Sequence, residues 1–222
     1  MQPPSTVYTQ ACEDRDFAEW HRGCPWCAVW LLRVEQPEVV AMVAQARAHL
    51  APCLLPRYAR QPHITLAYRG LMAAEGAWPH AEFGAQQLQA DVRALQAAQL
   101  QPFALRLQGV GSFSTVPYLA VASPAPAGLG AAHEALAAHA PYPGWRYVPH
   151  LTLGHYGAAW PLATVLAQLQ KGVPPAWHCE VEVSALWLAR YRTDDIAGRL
   201  HFEGRFDLRT QSYQAEPGAL MA

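Results

Sequence analysis

The sequence predicts a mixed fold of strands and helices built as two related halves. Two observations support this: strand-like and helix-like segments alternate along residues 28–208, and one five-residue word occurs at matching points of both halves. With 222 residues, 24.4 kDa, 52% hydrophobic and 15% charged side chains, the chain can bury a sizeable core, and most of it is expected to be ordered.

The elements follow in order. Residues 28–34, apolar but for Arg33 and containing Val and Trp, read as a buried strand. Pro37 then opens a helix whose Val39, Val43, Ala46 and Leu50 recur at helical spacing. Residues 61–70 are extended, and Leu88, Val92 and Leu95 mark a second amphipathic helix. The segment 103–109 alternates as a half-buried strand. The order then repeats, with a strand at 117–122, a helix through Leu129, His133, Leu136 and Ala140, and an extended segment at 148–156. A helix follows through Leu162, Val165, Leu166 and Leu169, ending near Gly172. Two closing strands, about 180–191 and 200–208, flank the turn-rich stretch 192–198, a hairpin. The expected organisation is a single domain over 24–209 with half-repeats at about 28–112 and 113–209, an N-terminal extension over 1–23 and a C-terminal tail over 210–222.

Sixteen Lys and Arg against seventeen Asp and Glu leave a net charge of −1, which offers no broad basic surface for duplex DNA. No apolar run approaches the ~20 residues of a membrane span, and residues 1–10 lack an apolar signal core. Five cysteines do not suit a disulfide framework. The expectation is a cytoplasmic monomer that takes small or single-stranded anionic substrates.

The repeated word is Pro62-His63-Ile64-Thr65-Leu66 and Pro149-His150-Leu151-Thr152-Leu153. A lone His-x-Thr arises by chance about 0.4 times in such a chain, whereas a second copy of the whole pattern has a chance of about one in a thousand. On a strand, His63 and Thr65 point one way and Ile64 and Leu66 the other, with the same division at His150, Thr152, Leu151 and Leu153. Two imidazole–hydroxyl pairs facing a common cleft suit a phosphodiester. One imidazole takes a proton from water, the other protonates the leaving oxygen, and the Thr hydroxyls hold non-bridging oxygens. This chemistry needs no metal and no cofactor. The alternative is that both histidines are structural, each satisfied by a neighbouring backbone group.

On these motifs, supported by residues 103–113 and by Leu186-Trp-Leu-Ala-Arg-Tyr, the sequence resembles the 2H phosphoesterases over about residues 28–208. Within them it is similar to the RNA 2′,3′-cyclic phosphodiesterase branch, also called 2′-5′ RNA ligase-like. The resemblance implies an α+β bilobal fold: two pseudo-symmetric lobes, each an antiparallel sheet flanked by helices, with the active-site cleft between them. It also implies hydrolysis of 2′,3′-cyclic phosphates on RNA 3′ ends or small cyclic nucleotides to 2′-phosphates, with His63, His150, Thr65 and Thr152 catalytic. By analogy, His150 would activate water and His63 would protonate the leaving oxygen. Other branches act on 2′-5′ linkages or ADP-ribose cyclic phosphates. Two positions depart from the branch: His155 stands where Arg often follows the second motif, and Tyr68-Arg69-Gly70 where Phe-Leu-Gly often follows the first.

Strand alternation places Arg69 and Tyr156 on the histidine faces as substrate-binding residues, and His155 on the face away from His150. Phe113, after Gly109-Val-Gly-Ser, matches a family position near the nucleobase, where it would stack or else pack in the core. Cys24-Pro-Trp-Cys27 precedes a strand rather than opening a helix, so a redox or zinc role does not fit well. His133 falls on an apolar helix face and reads as a hydrogen-bonded core residue. The rival to an enzyme is a non-catalytic module that holds RNA ends or nucleotides in the same cleft.

Overall fold

The six interior residues of β1 (Trp26–Arg33) are all buried, as a strand covered on both faces must be. The computed structural model describes residues 6–72, 80–137 and 146–221. After β1, Pro37 takes the first position of α2 (Pro37–Leu50), where its missing N–H costs nothing, and Val39, Met42, Val43, Ala46 and Leu50 form the buried stripe. The chain continues through β2 (His63–Leu71), α3 (Ala85–Ala98), β3 (Phe103–Ser112), β4 (Pro117–Val121), α4 (Ala127–Ala137), β5 (His150–Thr152) and α5 (Leu162–Gly172). It closes with β6 (His178–Val183), β7 (Ala185–Arg192), β8 (His201–Asp207) and β9 (Ser212–Ala215). A one-turn helix, α1 (Ala18–His21), precedes β1.

The expected antiparallel sheets are present and meet edge to edge. Among the described residues they form one nine-stranded sheet in the order β6-β3-β4-β5-β2-β1-β7-β8-β9, joined at its centre by the antiparallel pairing of Ile64 with Leu151. The spatial halves exchange strands. β3 leaves the first half of the sequence to pair with β4 and β6, and β7 returns from the second half to pair with β1. α2 packs against α5 and α3 against α4, so helices also cross between halves. The side chains on the helix-covered face, including Ala28, Trp30, Leu32, Ile64, Leu66 and Leu151, merge with the helix stripes into one core.

The closing stretch 180–191 is two strands, with β6 and β7 on opposite sides of the sheet centre and a break at Ser184. The hairpin is as expected: β7 and β8 pair antiparallel across 193–200. Residues 9–12 and 212–221 take part in the fold. The Thr9 amide donates to the Trp160 carbonyl, Gln10 to Ser114 and Cys12 to Tyr156, so the N-terminal segment lies along the loops that follow β5 and β3. β9 extends the sheet, and buried Glu203 accepts hydrogen bonds from the Leu220 and Met221 amides. These contacts are made largely by backbone, and a short polar strand carries no periodicity to read. Ala140 of the expected third helix lies outside the described residues.

Candidate active site

The pairing of Ile64 with Leu151 builds the site. In an antiparallel ladder it sets His63 opposite Thr152 and Thr65 opposite His150. The flanking pairs Arg33–His63, Leu31–Thr65, Tyr118–Thr152 and Ala120–His150 extend two rows across the same face. Ile64 and Leu151 drive into the core, both fully buried, which turns the four polar side chains outward together. His63 and His150 are then diagonal neighbours, with Cα atoms on the order of 7–8 Å apart.

Each histidine is oriented in the same way. Nδ1 of His63 donates to the Gln61 carbonyl at 2.7 Å and Nδ1 of His150 to the Val148 carbonyl at 2.7 Å, in each case two residues upstream. A carbonyl can only accept, so Nδ1 carries the proton and Nε2 is left as the exchanging atom. The Thr65 and Thr152 hydroxyls have no hydrogen-bond partner among the described residues. Burial, reinforced by the Arg60 charge and by His150, holds His63 down to about 4, while burial lowers His150 as well. Both imidazoles are therefore neutral near pH 7 in the unliganded protein.

Supporting groups surround this centre. Tyr147 donates its hydroxyl to the Thr65 carbonyl at 3.0 Å, and His133 on α4 donates Nδ1 to the Leu66 carbonyl at 2.8 Å. Their rings stack at 3.9 Å, so His133 is the satisfied histidine its helix position suggests, and it steadies β2 beside the site. The Phe113 ring lies 4.8 Å from His150 and 4.7 Å from Tyr118, forming an aromatic wall on the β4 side. Gly111 sits opposite Tyr118 in the β3–β4 ladder, and a Cβ there would meet the Tyr118 ring at 2.4 Å; glycine is required to seat that ring. On the other side stand Arg60, stacked 4.0 Å over Tyr191, and His155, edge-on to Tyr58 at 5.3 Å.

Two expected substrate-binding residues are corrected. Arg69 is 2% exposed and points to the helix face, where it pairs with Asp91 at 2.7 Å and donates to the Leu136 carbonyl. Register shifts in the β1–β2 ladder leave Leu66 and Arg69 without partners on β1, so alternation slips and Tyr68 takes the histidine face instead. Tyr156 is fully buried, with its hydroxyl 2.7 Å from the Ser112 hydroxyl, because β5 ends at Thr152 and alternation stops there. For the same reason His155 lies near enough to Arg60 for that charge to help burial lower it to about 4. Cys24 and Cys27 are buried free thiols, and burial pushes Cys27 up to about 11, opposite to an activated thiolate. Tyr118 and Arg60 were missed by sequence reasoning. Tyr118 becomes legible only once β4 is known to adjoin β5, and Arg60 sits in an aperiodic loop.

A family profile described as the 2′-5′ RNA ligase superfamily matches residues 36–195, and the chain belongs to that superfamily, the 2H phosphoesterases. Solved structures agree on the fold. The crystal structure of E. coli LigT complexed with 3′-AMP aligns with a TM-score of 0.55 at 17% identity, covering 82% of this chain and 98% of that one. The crystal structure of a phosphoesterase gives 0.53 at 19% identity, covering 80% and 94%. LigT in its apo form gives 0.53 at 18%, covering 82% and 97%. No curated protein matches. Among the described residues no helix is long and apolar enough to cross a membrane.

Proposed function

We propose that this chain hydrolyses 2′,3′-cyclic phosphates on RNA 3′ ends or small nucleotides to 2′-phosphates, by acid–base catalysis between His63 and His150. The observation that carries this reading is the paired arrangement on adjoining strands: two His–Thr units on one sheet face, each imidazole held at Nδ1 by the carbonyl two residues upstream. That crystals of E. coli LigT hold 3′-AMP and phosphate supports a phosphate-ester site in such a fold.

In the proposed step one imidazole Nε2 removes a proton from water as its oxygen attacks phosphorus. The other protonates the 3′ oxygen as the P–O3′ bond breaks. The free Thr65 and Thr152 hydroxyls donate to the non-bridging oxygens. Burial holds His63 down to about 4 and lowers His150 as well, so His63 is neutral over the whole range above about pH 4 and available to take a proton. A histidine kept neutral in this way suits the base, with His150 as the acid, the reverse of the order suggested by family analogy.

The test is incubation of the pure protein in excess EDTA with the four nucleoside 2′,3′-cyclic monophosphates and a short RNA ending in a cyclic phosphate, resolving 2′- from 3′-phosphate products. Conversion to 2′-phosphate should fall by roughly 10²-fold or more in His63→Ala and in His150→Ala. Binding of these compounds without turnover, across 2′-5′ and other cyclic diesters as well, would make the chain a binding module instead.

A further inference from the structure

The wall beside His63 is built from residues 54–62 and 193–200. Its arginines are unequally employed. Arg57 holds both Asp14 and Asp195 in ion pairs at 2.5 Å. Arg60, three residues on, forms no ion pair among the described residues. Its guanidinium lies 4.0 Å over the Tyr191 ring, and its Nε is buried with no hydrogen-bond partner among the described residues. Nδ1 of His155, which feels the Arg60 charge, is buried and unpartnered in the same way.

Arg60 is not a loose surface cation. Its neighbours are pinned on both sides: the Ala59 amide donates to the Ala197 carbonyl at 2.7 Å, and the Gln61 side chain both donates to the Leu200 carbonyl and accepts from the Leu200 amide. Tyr191 stands opposite Cys27 on β1, and alternation along β1 puts Cys27 on the same face as Leu31 and Arg33, the residues opposite Thr65 and His63. A cation fixed on that face, near enough to depress His63, with an unused N–H and no carboxylate of its own, lacks an anion.

We infer that Arg60 is the anion-binding residue of the cleft, taking non-bridging oxygens of the phosphoryl group that lies between His63 and His150, with Tyr191 holding the guanidinium plane. A planar fork suits two oxygens of one phosphoryl group, which a point-charge ammonium does not. The inference rests on the reading that the cleft takes a phosphate ester. It adds that a phosphomonoester product, with more charge than the cyclic diester, binds more tightly through Arg60 than the substrate does.

Inorganic phosphate tests this without turnover. Calorimetry and the imidazole NMR signals of His63 and His150 should report phosphate binding in the parent protein. Binding should weaken by tenfold or more in Arg60→Gln and by less in Arg60→Lys, and His63 should titrate at higher pH in Arg60→Gln. Phosphate binding that is equally tight in Arg60→Gln, or absent from the parent protein, would overturn the inference. If Arg60→Gln fails to melt cooperatively, Arg60→Lys, which keeps the charge and the stem, carries the same comparison. Arg60-dependent phosphate binding in a protein that turns over no cyclic phosphate would sink the proposed reaction and leave this site standing. Turnover with an unchanged KM in Arg60→Gln would do the reverse.

Discussion

Ile64 lies opposite Leu151 where the two halves of the sheet meet, and both side chains are fully buried beneath the two histidines. The pair sets the spacing of the His63–His150 diagonal, since a slip of one residue would turn His63 and Thr65 into the core. Ile64→Ala is expected to cost about 2–5 kcal/mol in urea denaturation. It should also lower kcat by up to about 10²-fold at temperatures where the variant is folded, because a shift near 1 Å in the reacting groups is costly. Ile64→Val, costing about 0.5–1.5 kcal/mol, should keep near-full activity. Full activity in folded Ile64→Ala would show that the spacing is set elsewhere.

The pH dependence of kcat/KM follows from the two histidines. With His63 held down to about 4 and His150 lowered by burial from its ordinary 6.5, any window in which neutral His63 meets charged His150 lies above about 4 and closes below 6.5. The profile is expected to be a bell with its optimum on the acid side of pH 6.5, falling up to tenfold per unit on the alkaline side as His150 loses its proton. In variants with residual activity, His63→Ala should lose the acid limb and His150→Ala the alkaline limb. The opposite assignment of limbs would restore His150 as the base.

How much of this was legible varies by element. The α2 stripe with Pro37 at its first position, the order of strands and helices apart from the split of 180–191 and the added β9, and the His–Thr words were readable, because burial imposes a period on sequence and paired chemistry repeats it. Arg69 and Tyr156 were not. Two irregularities in the β1–β2 ladder and the three-residue length of β5 break alternation, and both arise from pairing partners that a local pattern does not contain. Tyr118 and Arg60 reach the site through β4–β5 pairing and a loop pinned to residues 197 and 200, contacts far away in sequence.

The burial of Arg69 with Asp91 gives a prediction that separates structure from function. The pair is 1% and 0% exposed in its side chains, and Asp91 also accepts from Trp30 Nε1 at 2.8 Å. Arg69→Met leaves a buried carboxylate without its cation and is expected to cost about 3–5 kcal/mol. Arg69→Met with Asp91→Asn should recover part of that loss. At temperatures where both variants are folded, KM should match the parent; a KM raised tenfold or more would return Arg69 to the substrate site.

Stability should respond to pH through His63 and His155, both held at about 4 in the fold against an ordinary 6.5. The unfolded chain binds these protons at higher pH than the folded one. Their contribution is therefore complete above pH 6.5 and is lost as pH falls towards 4, at most about 1.4 kcal/mol per pH unit for each histidine. Urea midpoints measured between pH 7.5 and 4.5 should fall accordingly, and His155→Gln should flatten the slope by up to half. A midpoint unchanged across that range would mean that neither ring is held neutral.

Phe113 tests the aromatic wall. Its ring is edge-on to His150 and tilted against Tyr118, so it can meet a base whose phosphate lies between the histidines. Stacking of a base on an aromatic ring is worth about 1–3 kcal/mol and tolerates any base. Phe113→Ala should therefore raise KM for all four cyclic nucleotides by roughly 5- to 150-fold with a smaller change in kcat, and Phe113→Tyr should restore it. If the ring serves only to pack His150, the opposite split appears: kcat falls as the imidazole loses its orientation, and KM stays within about twofold. Inorganic phosphate, which has no base to stack, is the internal control. Its affinity should be the same in Phe113→Ala as in the parent protein, and a parallel loss of phosphate affinity would assign the ring to shaping the catalytic centre rather than to holding the nucleobase.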